Sequence, residues 1–185
     1  LPILVKDASA QPPPPPPEPD PEAEARALQA KIKTQLERAS AELRRRDWEA
    51  ASATLQGVLK LDAVNADAIK GLEKARLERE RDNWIKEAVR ISETGRELGR
   101  AQELLQKIPQ KSAYYADSRV RLRQVNRIVA EEAKTSGLSN CRAWRYEVCQ
   151  RELCRFFQTW PAGEPIPDEV RVRRALERAE THLKR

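Results

Sequence analysis

The spacing of apolar residues is the feature that most limits what this chain can fold into. Between residues 25 and 43 they recur at intervals of three and four, which places them on one face of a helix. No stretch of useful length alternates between apolar and polar residues, so we expect no β-sheet. Only 6 glycines and 5% aromatic residues accompany 35% charged residues, a composition typical of long helices with solvated outer faces. The sequence therefore predicts an all-α fold.

Helix-breaking residues divide this pattern into seven predicted helices. Pro21 stands at a favourable helix start, and residues 62–65 mark a turn. Other glycines and prolines are expected where helices break down or stop, namely Gly95, Gly99, Pro109, Gly137, Pro161, Gly163, Pro165 and Pro167. The predicted helices span residues 21 to 44–46, 47–61, 66 to the low 90s, 97–108, 112–134, 141–159 and 167–184.

Three of these predicted helices share one pattern of apolar residues. A large residue is followed by a small one three positions later and by large ones seven and ten positions later. The copies are Trp48, Ala51, Leu55 and Val58; Leu98, Ala101, Leu105 and Ile108; and Tyr146, Cys149, Leu153 and Phe156. A small residue at the second position lets a neighbouring helix approach closely, while the large residues fill its grooves. The repeated face predicts a stack of helical pairs.

Residues 46–68 carry a more specific pattern. It begins with an acidic residue followed by an aromatic one and ends in Leu-Asp-x-x-Asn-Ala, where x is any residue. The residues that fit the pattern are Asp47, Trp48, Ala51, Leu55, Leu59, Leu61, Asp62, Asn65 and Ala66. Residues 35–70 therefore resemble the tetratricopeptide repeat (TPR), although Ala63 replaces its usual proline and Arg46 its usual glycine. Residues 97–116 look like a degenerate copy. The resemblance implies an α-solenoid of about three TPR-like hairpins with a C-terminal capping helix, and a concave face that grips another protein.

A proline-rich segment precedes the predicted helical domain of residues 24–185. Residues 12–17 are six consecutive prolines, which in the polyproline II conformation span roughly 19 Å at about 3.1 Å per residue. We interpret residues 7–23 as a stiff spacer, with a ligand for a proline-binding module as the alternative. Residues 1–6 are interpreted either as the end of a membrane anchor or signal sequence, or as an ordinary apolar N-terminus.

Five residues are candidates for binding a partner. Arg119, Arg123 and Arg127 lie one turn apart on a predicted helix. A solvated flank is the favoured interpretation of this arginine stripe, and the alternatives are binding of acidic side chains or a C-terminal carboxylate, or of nucleic acid. Nucleic acid is the least favoured, because no aromatic residues are interleaved with these arginines. Trp144 and Trp160 are expected in the core or, where exposed, in a docking patch.

The three cysteines, Cys141, Cys149 and Cys154, lie close together in the sequence. No Cys-x-x-Cys pair is present and the only histidine, His182, is distant in sequence, so we expect no metal site. Buried thiols and a disulfide of unknown pairing both stay open. Cys149 and Cys154 are about 7.5 Å apart along a helix axis and point to different sides, whereas Cys141 pairs with either only if the helix breaks near residues 142–145.

The sequence contains no catalytic or nucleotide-binding motif, so we expect no enzymatic activity and no cofactor. It predicts a protein–protein interaction scaffold whose partner is a subunit of a larger assembly. Because a spacer follows an apolar start, the favoured interpretation is a periplasmic domain tethered to a bacterial inner membrane, in a secretion or pilus machine. The alternatives are a cytoplasmic regulatory scaffold and a binder of an anionic polymer through a basic helix face.

Overall fold

The structure is a computed structural model that describes residues 20–184. The predicted anchor end and most of the predicted spacer lie outside the described residues. Within residues 20–184 the chain forms seven helices and no strand, which confirms the all-α prediction. These helices are α1 (Pro21–Arg44), α2 (Trp48–Leu61), α3 (Ala66–Thr94), α4 (Leu98–Gln106), α5 (Tyr115–Arg142), α6 (Tyr146–Thr159) and α7 (Glu169–Leu183). None of the described helices is long and apolar enough to cross a bilayer.

Polar side chains fix the starts of the first three helices. The Asp20 carboxylate accepts a hydrogen bond from the Glu22 amide at 3.0 Å, and the Asp47 carboxylate accepts one from Ala50 at 3.1 Å. The Asn65 side chain accepts from the Ala68 amide at 3.0 Å. Each bond satisfies an amide that has no partner within its own helix, so these three helices begin within one residue of the predicted positions.

The described residues divide into two compact units, unit 1 up to residue 72 and unit 2 from residue 73. The residues of α3 belong in part to each. In unit 1, α1 packs against α2 around a small buried core. This core consists of Ala39, Leu55, Val58 and Ala68. The first half of α1, up to residue 31, is exposed.

In unit 2, α5 packs against α4, α6 and α7, and α6 also packs against α7. The buried residues where α5, α6 and α7 meet include Ala133, Leu153, Phe156 and Val172.

A buried carboxylate fixes the segment before α5. Glu78 on α3 accepts hydrogen bonds from the Ser112 hydroxyl at 2.8 Å and the Ala113 amide at 3.2 Å, and it pairs with Arg81.

The repeated apolar pattern coincides with three observed helices. α2, α4 and α6 each begin at the first residue of a copy, and eleven of the twelve residues are buried. The exception is Tyr146, which is half-buried. The small residue at the second position is fully buried in each copy, as expected where a neighbouring helix approaches closely.

The predicted boundary between the fifth and sixth helices is wrong. Gly137 lies inside α5 rather than in a gap, and α6 begins at Tyr146 instead of residue 141. A Cβ atom added to Gly137 would lie 2.5 Å from Cδ2 of Leu153 and 3.3 Å from its backbone nitrogen. Gly137 therefore permits close contact between α5 and α6 and does not end a helix. Gly99, also expected where a helix breaks down, lies in the first turn of α4 with open space around it.

Four non-glycine residues among those described adopt the left-handed backbone conformation, each just before a helix. Arg46 (φ 62°) and Trp144 (φ 60°) lie two residues before α2 and α6, and Glu97 (φ 56°) and Asp168 (φ 56°) lie one residue before α4 and α7. This conformation costs a residue with a side chain roughly 1–2 kcal/mol.

Candidate functional site

Unit 1 contains an open groove between α1 and the turn that leads into α3, and we call it the hairpin groove. It has a volume of about 760 Å³. Its lining comes from α1, from α2 and from the segment 62–71, and comprises Gln29, Ile32, Lys33, Leu36, Glu37, Ala39, Ser40, Leu43, Arg44, Leu55, Asp62, Asn65, Asp67 and Gly71.

The floor of the hairpin groove is the apolar face of α1, which α2 covers only in part. Ile32, Leu36 and Leu43 are half-buried, and one turn before Ile32 the side chain of Leu28 is 42% exposed. Charged residues of both signs surround this floor. An apolar surface with a polar rim is the usual lining of a site for a peptide or another helix.

A polar contact fixes α1 against α2 beside the groove. The Thr54 hydroxyl donates a hydrogen bond to the Glu42 carboxylate at 2.7 Å, and Arg38 donates another at 2.9 Å. Burial raises the pKa of Glu42, but these two hydrogen bonds and the positive charges of Arg38 and Arg45 together outweigh burial and lower it below its ordinary value. Glu42 is therefore ionised at neutral pH and holds the hairpin in one arrangement.

Unit 2 contains a groove between α5 and α7, which we call the arginine groove. Its volume is about 700 Å³. The lining residues are Leu138, Cys141, Arg142, Ile166, Asp168, Glu169, Val170, Arg171, Arg174, Ala175 and Arg178. Leu138, Ile166 and Ala175 are half-buried and pack on the core, so they form an apolar floor.

Four arginines surround the floor of the arginine groove. Arg142, Arg171, Arg174 and Arg178 are exposed, and none of them makes a side-chain hydrogen bond or ion pair with another residue in the part of the chain that the structure describes. The last three follow one another on α7 at intervals of three and four residues, so they lie along one side of that helix. They extend over about 10 Å, given a rise of about 1.5 Å per residue.

Three aromatic rings, which we call the aromatic shelf, lie next to the arginine groove. The ring of Tyr146 stacks on His182 with centroids 4.3 Å apart, and Trp144 meets Tyr146 edge to face at 6.1 Å. Trp144 is 74% exposed although its backbone is left-handed. His182 follows Arg178 by one helical turn of α7, so the shelf lies beyond the end of the arginine row on that helix.

A disulfide spans the turn that carries Trp144. Cys141 at the end of α5 is bonded to Cys149 in α6, with their Cα atoms 5.1 Å apart, and Cys154 is free. The helix break at residues 143–145 brings the two cysteines together. The sulfur of Cys141 lies 3.6 Å from the Ala175 carbonyl oxygen on α7. This is a packing contact, because a disulfide sulfur carries no hydrogen to donate.

Among the described residues, no group of His, Cys, Asp and Glu side chains is arranged to hold a metal ion.

The structure places the predicted arginine stripe on α5, where two of its three members have partners within unit 2. Arg119 donates to the Leu105 carbonyl oxygen at 2.5 Å, and Arg127 pairs with Glu164 at 2.6 Å, whereas Arg123 is exposed. The hydrogen bond from Arg127 lowers the pKa of Glu164 below its ordinary value. A ligand of the whole stripe would therefore have to displace these contacts.

The two candidate tryptophans have different environments. Trp160 is half-buried, and its ring centroid lies 5.6 Å from that of Phe156 in the core. Its Nε1 atom is buried without a hydrogen-bond partner among the described residues. Of the two, only Trp144 presents its ring to solvent.

Sequence reasoning did not single out the arginine groove. The spacing of Arg171, Arg174 and Arg178 is visible in the sequence, but the apolar floor beside them includes Leu138 on another helix and Ile166 in a loop. Only the packing of α7 against α5 brings these residues together.

No family model, curated protein or solved structure matches this chain.

Proposed function

We propose that this chain is a non-enzymatic adaptor that holds a segment of another protein in the hairpin groove. The observation that carries this proposal is the half-covered apolar face of α1, formed by Ile32, Leu36 and Leu43 on the floor of the groove. Removing such apolar surface from water is the main favourable term in protein association. The mixed charges around the floor supply the polar rim that gives a bound segment its register.

The hairpin groove coincides with the part of the sequence that resembles a TPR. We propose that α1 and α2 form a TPR-like hairpin, and that the helix pairs carrying the other two copies of the repeated face are further hairpins of an α-solenoid. In this arrangement α7 is the capping helix. The burial of the repeated face in α2, α4 and α6 supports it.

We propose a periplasmic location, with the proline-rich spacer holding the helical domain away from the inner membrane in a secretion or pilus machine. The Cys141–Cys149 bond supports an oxidising compartment, because such bonds are rare in the cytosol. In a cytoplasmic scaffold all three cysteines would be reduced. Counting the thiols of protein isolated from its native source under alkylating conditions separates the two locations.

Site-specific photo-crosslinking in the native source tests binding in the hairpin groove. A photoreactive residue at Lys33 or Ser40 lies in the groove, whereas one at Gln56 lies on the exposed side of α2. All three side chains are exposed, so the fold should tolerate each replacement. We expect the same protein adduct from both groove positions and none from Gln56. Absence of an adduct at the groove positions, or an equal adduct at Gln56, would contradict the proposal.

A further inference from the structure

We propose that the arginine groove and the aromatic shelf together form a second docking surface, whose ligand is an acidic amphipathic helix of a partner protein. This inference goes beyond the adaptor function proposed above, because it concerns unit 2 and residues that the hairpin groove does not contain. Either surface can bind or fail to bind without the other.

The charge of the groove identifies the sign of its ligand. Several arginines elsewhere in unit 2 are neutralised within the chain, as Arg81 is by Glu78, Arg90 by Glu87 and Arg127 by Glu164, whereas others, such as Arg121 and Arg123, are exposed on α5. What distinguishes the groove is that four exposed arginines surround one apolar floor. The four groove arginines have no such partner among the described residues. A guanidinium group binds carboxylates through paired hydrogen bonds, so a ligand with several carboxylates would satisfy all four.

The spacing of the arginines indicates the shape of the ligand. Arg171, Arg174 and Arg178 follow the helical period along α7, so a helix lying beside α7 would face them with carboxylates that are also three or four residues apart. Its apolar side would then lie on Leu138 and Ile166, the half-buried floor of the groove. This is the arrangement of an amphipathic helix bound in a groove.

The exposure of Trp144 supports a binding role for the shelf. Arg46 has the same left-handed backbone conformation in the equivalent turn before α2, so the conformation belongs to the turn. What sets Trp144 apart is a large apolar side chain in a residue that is 74% exposed, where it contributes little to the stability of the fold. Tryptophan is also among the residues that contribute most at protein interfaces, and the disulfide across this turn holds Trp144 in place before a ligand arrives.

The same lining argues against nucleic acid and lipid. Asp168 and Glu169 lie among the arginines, so the charge of the groove is mixed. A helix places carboxylates only at chosen positions and can keep them away from Asp168 and Glu169, whereas a nucleic acid carries a phosphate at every step. Glu169 is neutralised by Arg173 at 2.6 Å, but Asp168 forms no ion pair within the described residues. A concave surface with an apolar floor also contacts a protruding helix better than it contacts a membrane.

Binding of a synthetic peptide tests this proposal directly. The probe is a fluorescent helix of about 18 residues, long enough to be helical in water, with leucine on one face and glutamate beside it. A peptide with the same composition in scrambled order is its control. Fluorescence anisotropy with the full chain should show binding of the amphipathic peptide and at least tenfold weaker binding of the scrambled one. Equal affinity for the two peptides, or no binding of either, would overturn the proposal.

Matched arginine variants locate the binding surface. Arg174→Gln/Arg178→Gln removes two groove charges, and Arg121→Gln/Arg123→Gln removes two exposed charges from α5. All four side chains are exposed, so both variants should keep the wild-type circular dichroism spectrum. We expect the groove variant to bind the peptide roughly tenfold more weakly and the α5 variant to bind within about twofold of wild type. An equal loss in both variants would refute binding in the groove.

Trp144→Gly separates binding from folding. Glycine relieves the left-handed strain, so the melting temperature should stay the same or rise while peptide affinity falls severalfold. Unchanged affinity would remove the shelf from the proposal.

Titrations with oligo(dT) and with phosphatidylglycerol vesicles complete the test. If either binds as tightly as the peptide and loses affinity in the groove variant, the surface binds polyanions in general and the protein-specific proposal is wrong.

Discussion

Gly137→Ala is the substitution that most sharply tests how α5 and α6 pack. The added methyl group would lie 2.5 Å from Cδ2, 2.8 Å from Cγ and 3.3 Å from the backbone nitrogen of Leu153. Leu153 is fully buried beside Phe156, so its side chain has little space to move into. The close approach to the backbone nitrogen means that α6 itself would have to move away from α5.

Two opposing effects set the size of the change in stability. Forcing an extra methyl group into a packed core costs about 1–3 kcal/mol, whereas replacing glycine by alanine inside a helix gains about 0.5–1 kcal/mol. The net loss in the free energy of unfolding therefore lies between about 0 and 2.5 kcal/mol. Because the 2.5 Å contact is far below the closest approach of two carbon atoms, we expect Gly137→Ala to fall in the upper half of this range. The change in helix propensity alone would have raised the free energy of unfolding.

Gly99→Ala is the matched control, because nothing lies within 4 Å of a Cβ atom added at Gly99 in α4. It should be neutral or stabilise the protein by up to about 0.5 kcal/mol. Equilibrium urea unfolding followed by far-UV circular dichroism gives both values, provided that the m-value stays constant.

A double-mutant cycle with Leu153→Ala identifies the cause of the destabilisation. Shortening Leu153 alone should cost about 2–5 kcal/mol, because it leaves a cavity. In the double variant the methyl group of the alanine at position 137 would enter that cavity. The double variant should therefore lose about 1 kcal/mol less stability than the sum of the losses in the two single variants. Additive costs, or a Gly137→Ala variant as stable as Gly99→Ala, would refute close contact between α5 and α6 at this position.

Three further predictions concern other contacts in unit 2. Reduction of the disulfide, which closes a loop with a sequence separation of 8, should lower stability by about 2.5 kcal/mol, and the denatured chain should then react with a thiol reagent at three sites instead of one. Glu78→Gln removes the charge that pairs with Arg81 and should cost about 2–3 kcal/mol in urea unfolding, because both groups are largely buried; an unchanged midpoint would contradict this role. The Arg127–Glu164 pair should stabilise the protein fully above the ordinary glutamate pKa of 4.5 and lose this effect as the pH falls through the folded pKa of Glu164, which is lowered. The melting temperatures of wild type and Glu164→Gln should therefore differ at pH 7 and the difference should shrink as the solution is acidified below pH 4.5; a difference that does not depend on pH would show another cause.

The sequence predicts most helix boundaries because local signals determine them. Asp20, Asp47 and Asn65 cap helices with their own side chains, and the apolar period runs uninterrupted between them. The end of α5 is different. Gly137 is compatible with a turn or with close helix contact, and the choice depends on Leu153, sixteen positions later in the sequence. The actual turn contains Trp144 in a conformation that sequence rules assign to glycine.

The candidate sites show the same division between local and distant information. Spacing alone places Arg119, Arg123 and Arg127 on one side of a helix, but it does not reveal that Glu164 pairs with Arg127. The arginine groove depends on the packing of α7 against α5, which brings residues from distant parts of the sequence to one surface. Sequence patterns predict individual helix faces well, but the assembly of two faces into a groove requires the tertiary structure.

A methyl-resonance titration tests the proposed adaptor function most directly. The ligand is the segment of the partner protein that crosslinks to the hairpin groove, added to protein with labelled isoleucine and leucine methyl groups. We expect the resonances of Ile32, Leu36 and Leu43 to shift in proportion to complex formed, because these side chains form the groove floor. Leu153 in the core of unit 2 should not shift. Unchanged resonances of the three groove residues on saturation with the ligand would contradict the proposed function.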